Sequence, residues 1–208
     1  MLSKAQSKRF VPQPSLNQRH ALSSLEKGLL RWSMAERGDK VLDVHVGSGL
    51  MLEYLQRNME CEVCGISDDM ESVRASRSRL RNADIIYASL EEIPWRANTF
   101  DSVYVKVITT SLNEQMLREC IRVLKPGGQL LIGFVSIPSV IRPFMGLIKP
   151  ETEEMAIHAR SQGGTQAILK ALGLTQITMQ RTAMVIRICI GWKPMQQHEE
   201  AKPVDHLR

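Results

Sequence analysis

Apolar positions along this chain recur at two spacings, one helical and one extended, and the changes between them order its elements. From Arg19 to Ala35 the segment RHALSSLEKGLLRWSMA sets Leu22, Leu25, Leu29 and Leu30 at helical spacing, with Trp32 close by. RGDK then breaks the pattern. The continuous apolar run KVLDVHV predicts a buried strand, with a helix expected from about Leu50 to Arg57. CEVCGI predicts a second strand, Asp68 or Asp69 caps a helix reaching about Arg81, and DIIYA predicts a third strand. A loop with Pro94, Asn98 and Thr99 announces a fourth, FDSVYVKVI. Asn113 can cap the next helix, whose Met116, Leu117, Cys120, Ile121 and Leu124 share one face. KPGG is expected to end it, before the fifth strand QLLIGFV.

Alternation of strand and helix five times over argues for a parallel sheet with helices on both faces. After Gly173 the order changes: LTQITMQ and MVIRICIGW stand only a few residues apart. Strands that close can pair only as an antiparallel hairpin, because a parallel crossover needs a dozen residues or more. The predicted fold is therefore α/β, a doubly wound, seven-stranded, mostly parallel, Rossmann-like sheet closed by a C-terminal antiparallel hairpin.

Length adds a limit: 208 residues fit one domain. The expected division is a basic flexible arm over 1–18, the domain over 19–192, and a disordered polar tail over 193–208. No apolar run approaches the roughly 20 residues of a membrane-spanning helix. The basic start MLSKAQSKRFVPQPSLNQRH lacks the apolar core of a secretory signal, so a cytoplasmic location and reduced cysteines are expected. Cys61 and Cys64 form a C-x-x-C, but no second pair follows at zinc spacing, and small hydrophobes in a strand is the favoured reading; no metal site is expected.

A net charge of +5 comes partly from Lys4, Lys8, Arg9 and Arg19, and from Arg74, Arg77, Arg79 and Arg81 together. A basic surface attracts nucleic acid, yet only 5% of residues are aromatic, which leaves few stacking platforms. The arginine group is expected to be the solvated face of a helix whose Met70, Val73, Arg77 and Leu80 mark the other side. Nucleic acid is a minor option.

The chemistry-bearing stretch is VLDVHVGSG, a strand running into a glycine turn. Ligands of open parallel sheets bind beyond the carboxyl ends of the strands, where strand order reverses. Gly47 and Gly49 would let the backbone approach a ligand where a Cβ would collide. A nicotinamide fingerprint fails here: Leu52 holds the third glycine position, and the next strand ends in CGISDDM, with Gly65 at its tip. Three phrases in order, KVLDVHVGSG, EEIPWRANTFDSVYV and LRECIRVLKPGGQLLI, resemble the class I S-adenosylmethionine-dependent methyltransferases. The resemblance covers roughly Lys40 to Trp192.

That resemblance implies S-adenosylmethionine as cofactor. It places Asp43 near the methionine end, where the carboxylate helps orient the amino group; a capping carboxylate that holds the turn is the other reading. It sets His45, Gly47, Gly49, Gly65, Ile66, Ser67, Ser89, Leu90 and Val105 around the same pocket. Three of these depart from the family. Gly65 falls at the position of the acid that grips the ribose hydroxyls, with Ser67 there in an alternative register and Asp68 one residue beyond. Loss of that carboxylate weakens binding by about ten- to hundredfold unless Ser67 or Asp68 compensates. His45 replaces the first turn glycine; its imidazole either fills methionine space or turns away to a neighbour. Ser89 stands in for the acid that receives the adenine amino group, while Leu90 can offer its amide and an apolar wall.

Beyond the fifth strand, SIPSVIRPFMGLIKPETEEMAIHARSQGG is apolar for a loop, through Ile137, Val140, Ile141, Phe144, Met145, Leu147 and Ile148. It reads as a lid over a hydrophobic small-molecule acceptor or a patch touching a membrane surface, or as a helix packed on the body or a partner subunit, as in a homodimer. His20, Tyr54, Lys106 and His158 are candidate bases, and none is singled out as catalytic. Two function classes stay open: a methyltransferase acting on a small molecule, and a catalytically silent protein of this fold serving binding or assembly. An RNA-modifying enzyme rests on charge alone.

Overall fold

A computed structural model describes residues 22–107, 112–135, 162–183 and 185–195 of the chain. In order they form α1 (Ser24–Trp32), β1 (Lys40–Val44), α2 (Leu50–Met59), β2 (Glu62–Ser67), α3 (Met70–Arg79) and β3 (Asp84–Tyr87). Then come β4 (Phe100–Val107), α4 (Glu114–Val123), β5 (Leu124–Val135), α5 (Gln162–Ala171), β6 (Thr175–Ala183) and β7 (Ile186–Trp192). One seven-stranded sheet runs β3-β2-β1-β4-β5-β7-β6. Its first four pairings are parallel, and β7 is antiparallel to both β5 and β6. This is the doubly wound sheet and closing hairpin that the alternation predicts. The arm over 1–18, His20, His158 and the apolar segment 136–161 lie outside the described residues.

The sheet carries an apolar layer on each face. Helices α1, α2 and α3 cover one, through Leu25, Leu29, Leu52, Leu55 and Val73; α4 and α5 cover the other, through Met116, Leu117, Cys120 and Leu169. Full burial of one such leucine contributes roughly 1.5–3 kcal/mol, so each layer holds its helices mainly by area removed from water. Cys61 and Cys64 pack into different layers, and burial pushes both thiols up to about 12. They are protonated packing residues on separate faces, as the simpler reading of the C-x-x-C had it.

Helix α1 starts at a capping box. The Ser23 hydroxyl accepts from the Glu26 amide at 3.2 Å, and the Glu26 carboxylate accepts from the Ser23 amide at 2.8 Å. Its buried side packs on β5 and β7. A Cβ added at Gly133 of β5 would come within 2.7 Å of Leu25 Cδ1, so the absence of a side chain there lets the helix settle onto the sheet.

Two boundaries differ from expectation. Helix α4 ends at Val123 and β5 begins at Leu124, so the K-P-G-G stretch lies in the strand, with a register shift against β4 between Phe100 and Ser102. Its ending rests on Lys193, which the sequence reading assigned to the tail. The Lys193 ammonium donates to the carbonyl oxygens of Ile121 (2.8 Å) and Leu124 (2.7 Å) and to Asn98 Oδ1 (2.9 Å). Backbone bonds tie the same residue to β5, with Gly127 N donating to Lys193 O at 2.8 Å and Lys193 N to Gly128 O at 3.0 Å. The chain thus stays bonded to β5 past Trp192, and 196–208 lie outside the described residues.

Candidate functional site

Strand order reverses at β1, which has β2 on one side and β4 on the other. Asp43, one residue before the end of β1, stands opposite Gly65 and Tyr104 and is fully buried. Its Oδ2 accepts from Lys106 Nζ at 2.8 Å. Lys106 is itself almost fully buried; it also donates to Val46 O at 3.3 Å and lies 3.8 Å from Glu26 Oε1. Asp43 Oδ1 is buried with no hydrogen-bond partner among the described residues. Burial pushes the Asp43 carboxyl up to about 7; the Lys106 ammonium pulls it back only in part, and Glu26 adds to the rise.

This cluster alters the reading of Lys106. An ammonium held on a carboxylate has no lone pair with which to accept a proton, so Lys106 is an ion-pair partner rather than a base. Tyr54, a second candidate base, is buried in the layer beneath α2 and is a core residue. Glu26 was not foreseen at all. The spacing of Ser23 and Glu26 signals a helix start, but nothing local in the sequence shows that the carboxylate reaches strand β4.

The turn after β1 is tight and tied on both sides. The amides of His45 and Val46 both donate to Ile66 O, at 3.0 and 3.1 Å. His45 has φ +64°, a conformation that glycine enters freely and histidine tolerates, which explains both the family's usual glycine and its replacement. Its Nδ1 is buried without a partner among the described residues. Burial lowers the imidazole pKa, against the opposing charge of Asp68, so the ring is neutral at pH 7.

The two glycines of the turn differ in role. At Gly47, with φ +59°, an added Cβ would meet nothing within 4 Å except the carbonyl oxygen of His45 at 3.9 Å, so open space borders the backbone there. At Gly49, with φ +75°, it would lie 3.2 Å from the Cα of Ser76, so the missing side chain admits α3 rather than a ligand. Ser76 Oγ donates to Gly47 O at 2.8 Å and Arg79 Nε to Ser48 O at 3.0 Å, fastening the turn to that helix. Arg77 likewise binds Ile85 O through Nε (2.9 Å) and Nη2 (2.6 Å). Arg77, expected on the packed side of the helix, and Arg79, expected on its solvated face, thus both secure backbone carbonyls.

On β2, the register that put the ribose acid at Gly65 does not hold. A Cβ there would lie 2.8 Å from Val46 Cγ2, 2.9 Å from Ile85 Cδ1 and 3.1 Å from Leu52 Cδ1. The position faces a closed apolar layer, where a carboxylate has neither room nor solvation. Ser67, the alternative, ends the strand and is buried, with its Oγ accepting from the Asp69 amide at 3.0 Å. Of the two aspartates offered as cap, Asp69 performs it, accepting from Glu71 N and Ser72 N, while Asp68 is exposed. Beyond β3, Ser89 is exposed and accepts from Glu91 N at 3.2 Å, and Leu90 is buried. Ile66 and Val105 are buried in the layer on the opposite face of the sheet. An open groove of about 700 Å³ runs from Ser89 past Ile93 and Trp95 to Arg122, but Asp43, His45 and Gly47 do not line it.

These residues fit an adenosyl group in part. The open side of Gly47 and the two orphaned atoms, Asp43 Oδ1 and His45 Nδ1, face the requirements of a ligand at the strand tips. The serine hydroxyls at 67 and 89 each accept an amide and keep a proton to donate, where the family pattern has an accepting carboxylate. Among the described residues no group of three or more His, Cys, Asp or Glu converges on a metal position. No described helix is long and apolar enough to cross a membrane.

Comparison with known proteins agrees with this geometry. Residues 42–132, from β1 to β5, match a methyltransferase domain family. The ubiquinone/menaquinone biosynthesis C-methyltransferase of Idiomarina loihiensis is 34% identical over 112 residues, covering 48% of this chain and 44% of that protein. The demethylmenaquinone methyltransferase of Thermotoga maritima is 28% identical over 113 residues, covering 53% and 49%. The chain thus spans about half the length of the curated relatives it matches. In fold it resembles a SAM-dependent methyltransferase from Aquifex aeolicus (TM-score 0.60, 21% identity, 81% of this chain and 90% of that one). It also resembles a structure from the complex between the Haloferax volcanii Trm112 methyltransferase activator and a methyltransferase (TM-score 0.66, 18% identity, 86% and 92%). The sheet order, the glycine turn and the matched domain agree: residues 42–132 are similar to a methyltransferase domain, and the chain has the fold of the class I S-adenosylmethionine-dependent methyltransferases.

Proposed function

We propose that the chain transfers a methyl group from S-adenosylmethionine to a small apolar or aromatic acceptor, of the kind represented by quinone precursors. The observation that carries this reading is the turn at the switch point: Gly47 borders open space inside the segment that matches the methyltransferase domain. The acceptor class rests on the relatives whose names specify quinone C-methylation, and on the apolar composition of 136–161. The domain is taken to run from 19 to 192 with Lys193–Met195 added, and to work in the cytoplasm.

In this reading His45 and Gly47 border the turn side of the ligand, Ser67 and Asp68 take the ribose, and Ser89 with Leu90 takes the adenine. Ile66 and Val105 support these from beneath. When bound, the cofactor supplies a methyl group on a sulfonium, activated for direct displacement. The chain itself needs no nucleophile of its own. Its work is to hold two reactants in line and keep water out, which is the larger part of such catalysis.

A second reading is favoured by a specific observation. The carboxylate of Asp43 is already held by Lys106, and serines stand at two positions where the family pattern has acids. A silent member of the fold would look this way. Calorimetry with S-adenosylmethionine and S-adenosylhomocysteine separates the two: micromolar affinity supports the transferase, and no heat at millimolar ligand supports the silent protein.

A further inference from the structure

Near the end of β1, two buried carboxylates share one buried ammonium. Lys106 of β4 lies 2.8 Å from Asp43 Oδ2 and 3.8 Å from Glu26 Oε1 of α1. The second oxygen of Glu26 is occupied by the capping box, accepting from Ser23 N and Ser23 Oγ at 2.8 Å each. The second oxygen of Asp43, Oδ1, has no partner among the described residues. Opposite Asp43, β2 presents Gly65 and β4 presents Tyr104, whose hydroxyl is paired with that of Ser33. In the turn, burial lowers the His45 imidazole pKa against the opposing charge of Asp68, so that ring is neutral at pH 7. A bare, buried acceptor beside an excess of carboxylate calls for a donor that is also a cation. An α-ammonium group is both, and with it in place two carboxylates face two ammonium groups.

We propose that Lys106 is a positioning residue for the cofactor: anchored between Glu26 and Asp43, it holds one carboxylate oxygen of Asp43 so that the other receives the ligand's α-ammonium group. The proposal rests on the adenosyl reading of the turn and extends it to α1, since Glu26 acts on the lysine from outside the matched segment. The charge of Lys106 also favours the ionised form of Asp43, on which the ligand's ammonium depends. Burial, with Glu26 adding to it, pushes the Asp43 carboxyl up to about 7 against the pull of Lys106. Below that value the carboxyl carries a proton, which must leave to solvent when the ammonium arrives. Affinity for an ammonium-bearing ligand therefore rises as pH rises through about 7.

The test uses two thioethers that share the adenosyl group and differ in the tail. S-adenosylhomocysteine carries the amino acid; 5′-methylthioadenosine ends in a methyl group. Affinities for both are measured by calorimetry across the neutral pH range in the wild type, in Lys106→Met and in Glu26→Gln. The wild type should bind S-adenosylhomocysteine more tightly as pH rises, and 5′-methylthioadenosine equally throughout. Lys106→Met should weaken S-adenosylhomocysteine about tenfold or more at neutral pH, the scale of one hydrogen bond to a charged group. It should also move the rise to higher pH and leave 5′-methylthioadenosine unchanged. Glu26→Gln keeps an oxygen for the capping box and should move the rise to lower pH, because Lys106 then serves Asp43 alone. A packing defect does not shift two variants in opposite directions, and Glu26→Gln decides the matter where Lys106→Met fails to fold. An unchanged pH profile in a folded variant, or equal losses for both thioethers, overturns the proposal and leaves the adenosyl reading standing. If neither thioether binds the wild type, the adenosyl reading fails, and the proposal with it.

Discussion

At the scale of single residues, the site is governed by a carboxylic acid placed where water cannot reach it. Asp43 is held by Lys106 from β4, with Glu26 of α1 on the far side of that ammonium, and burial outweighs the one attractive cation. The folded chain therefore holds the Asp43 proton more tightly than the unfolded chain does. Its contribution to stability is fully present below the ordinary carboxylate value of 3.8 and lost as pH rises through about 7. An asparagine, which mimics the protonated acid in shape, escapes this loss. Asp43→Asn should gain on the wild type between pH 5 and pH 8 by on the order of a few kcal/mol in unfolding free energy, read from urea melts at each pH. A difference that stays constant across that range would mean Asp43 is ionised throughout. The turn pattern marked Gly47 and Gly49, and the family resemblance added Asp43 and His45. The sequence did not reveal the Lys106 contact, because a pairing across 63 positions leaves no periodic or local trace. It also misplaced the ribose acid at Gly65, since alignment of a phrase does not tell which face of a strand is already filled by Val46 and Ile85.

At the scale of elements, legibility follows locality. Helices α2, α3 and α4 and all seven strands lie where periodicity and caps put them, because the information is in neighbouring side chains. The end of α4 was the exception. Its proline and glycines look like a stop signal, yet they continue into β5, and the freed carbonyls of the last turn are taken by Lys193 from the far end of the chain. A cation at a helix C-terminus also meets the negative end of the helix dipole. Lys193→Met keeps most of the aliphatic stem and removes the donors. It should cost about 1–3 kcal/mol in denaturant unfolding, since several partly buried acceptors lose a charged partner at once. A loss within a few tenths of the wild type would show that water replaces the ammonium without penalty.

At the scale of the whole molecule, α1 touches both the β5–β7 side of the sheet and the buried charge pair at its centre. This helix lies outside the segment that matches the methyltransferase domain, packs on β5 and β7, and carries Glu26 to within 3.8 Å of Lys106 on β4. Its seating depends on close approach: Leu25 and Leu29 rest where Gly133 has no side chain. A larger residue at 133 cannot be absorbed on the sheet side, because β5 is paired with both β4 and β7. The helix must move instead, and Glu26 with it. Gly133→Val should therefore lower stability by about 1–3 kcal/mol, the usual range for overpacking a well-filled layer. The displacement should also relax Lys106, which loses its second carboxylate while keeping Asp43. If α1 is a structural part of the pocket, the variant will bind adenosyl thioethers with altered affinity at temperatures well below its midpoint, where the protein is still folded. A variant that loses stability but binds S-adenosylhomocysteine as the wild type does would confine α1 to packing.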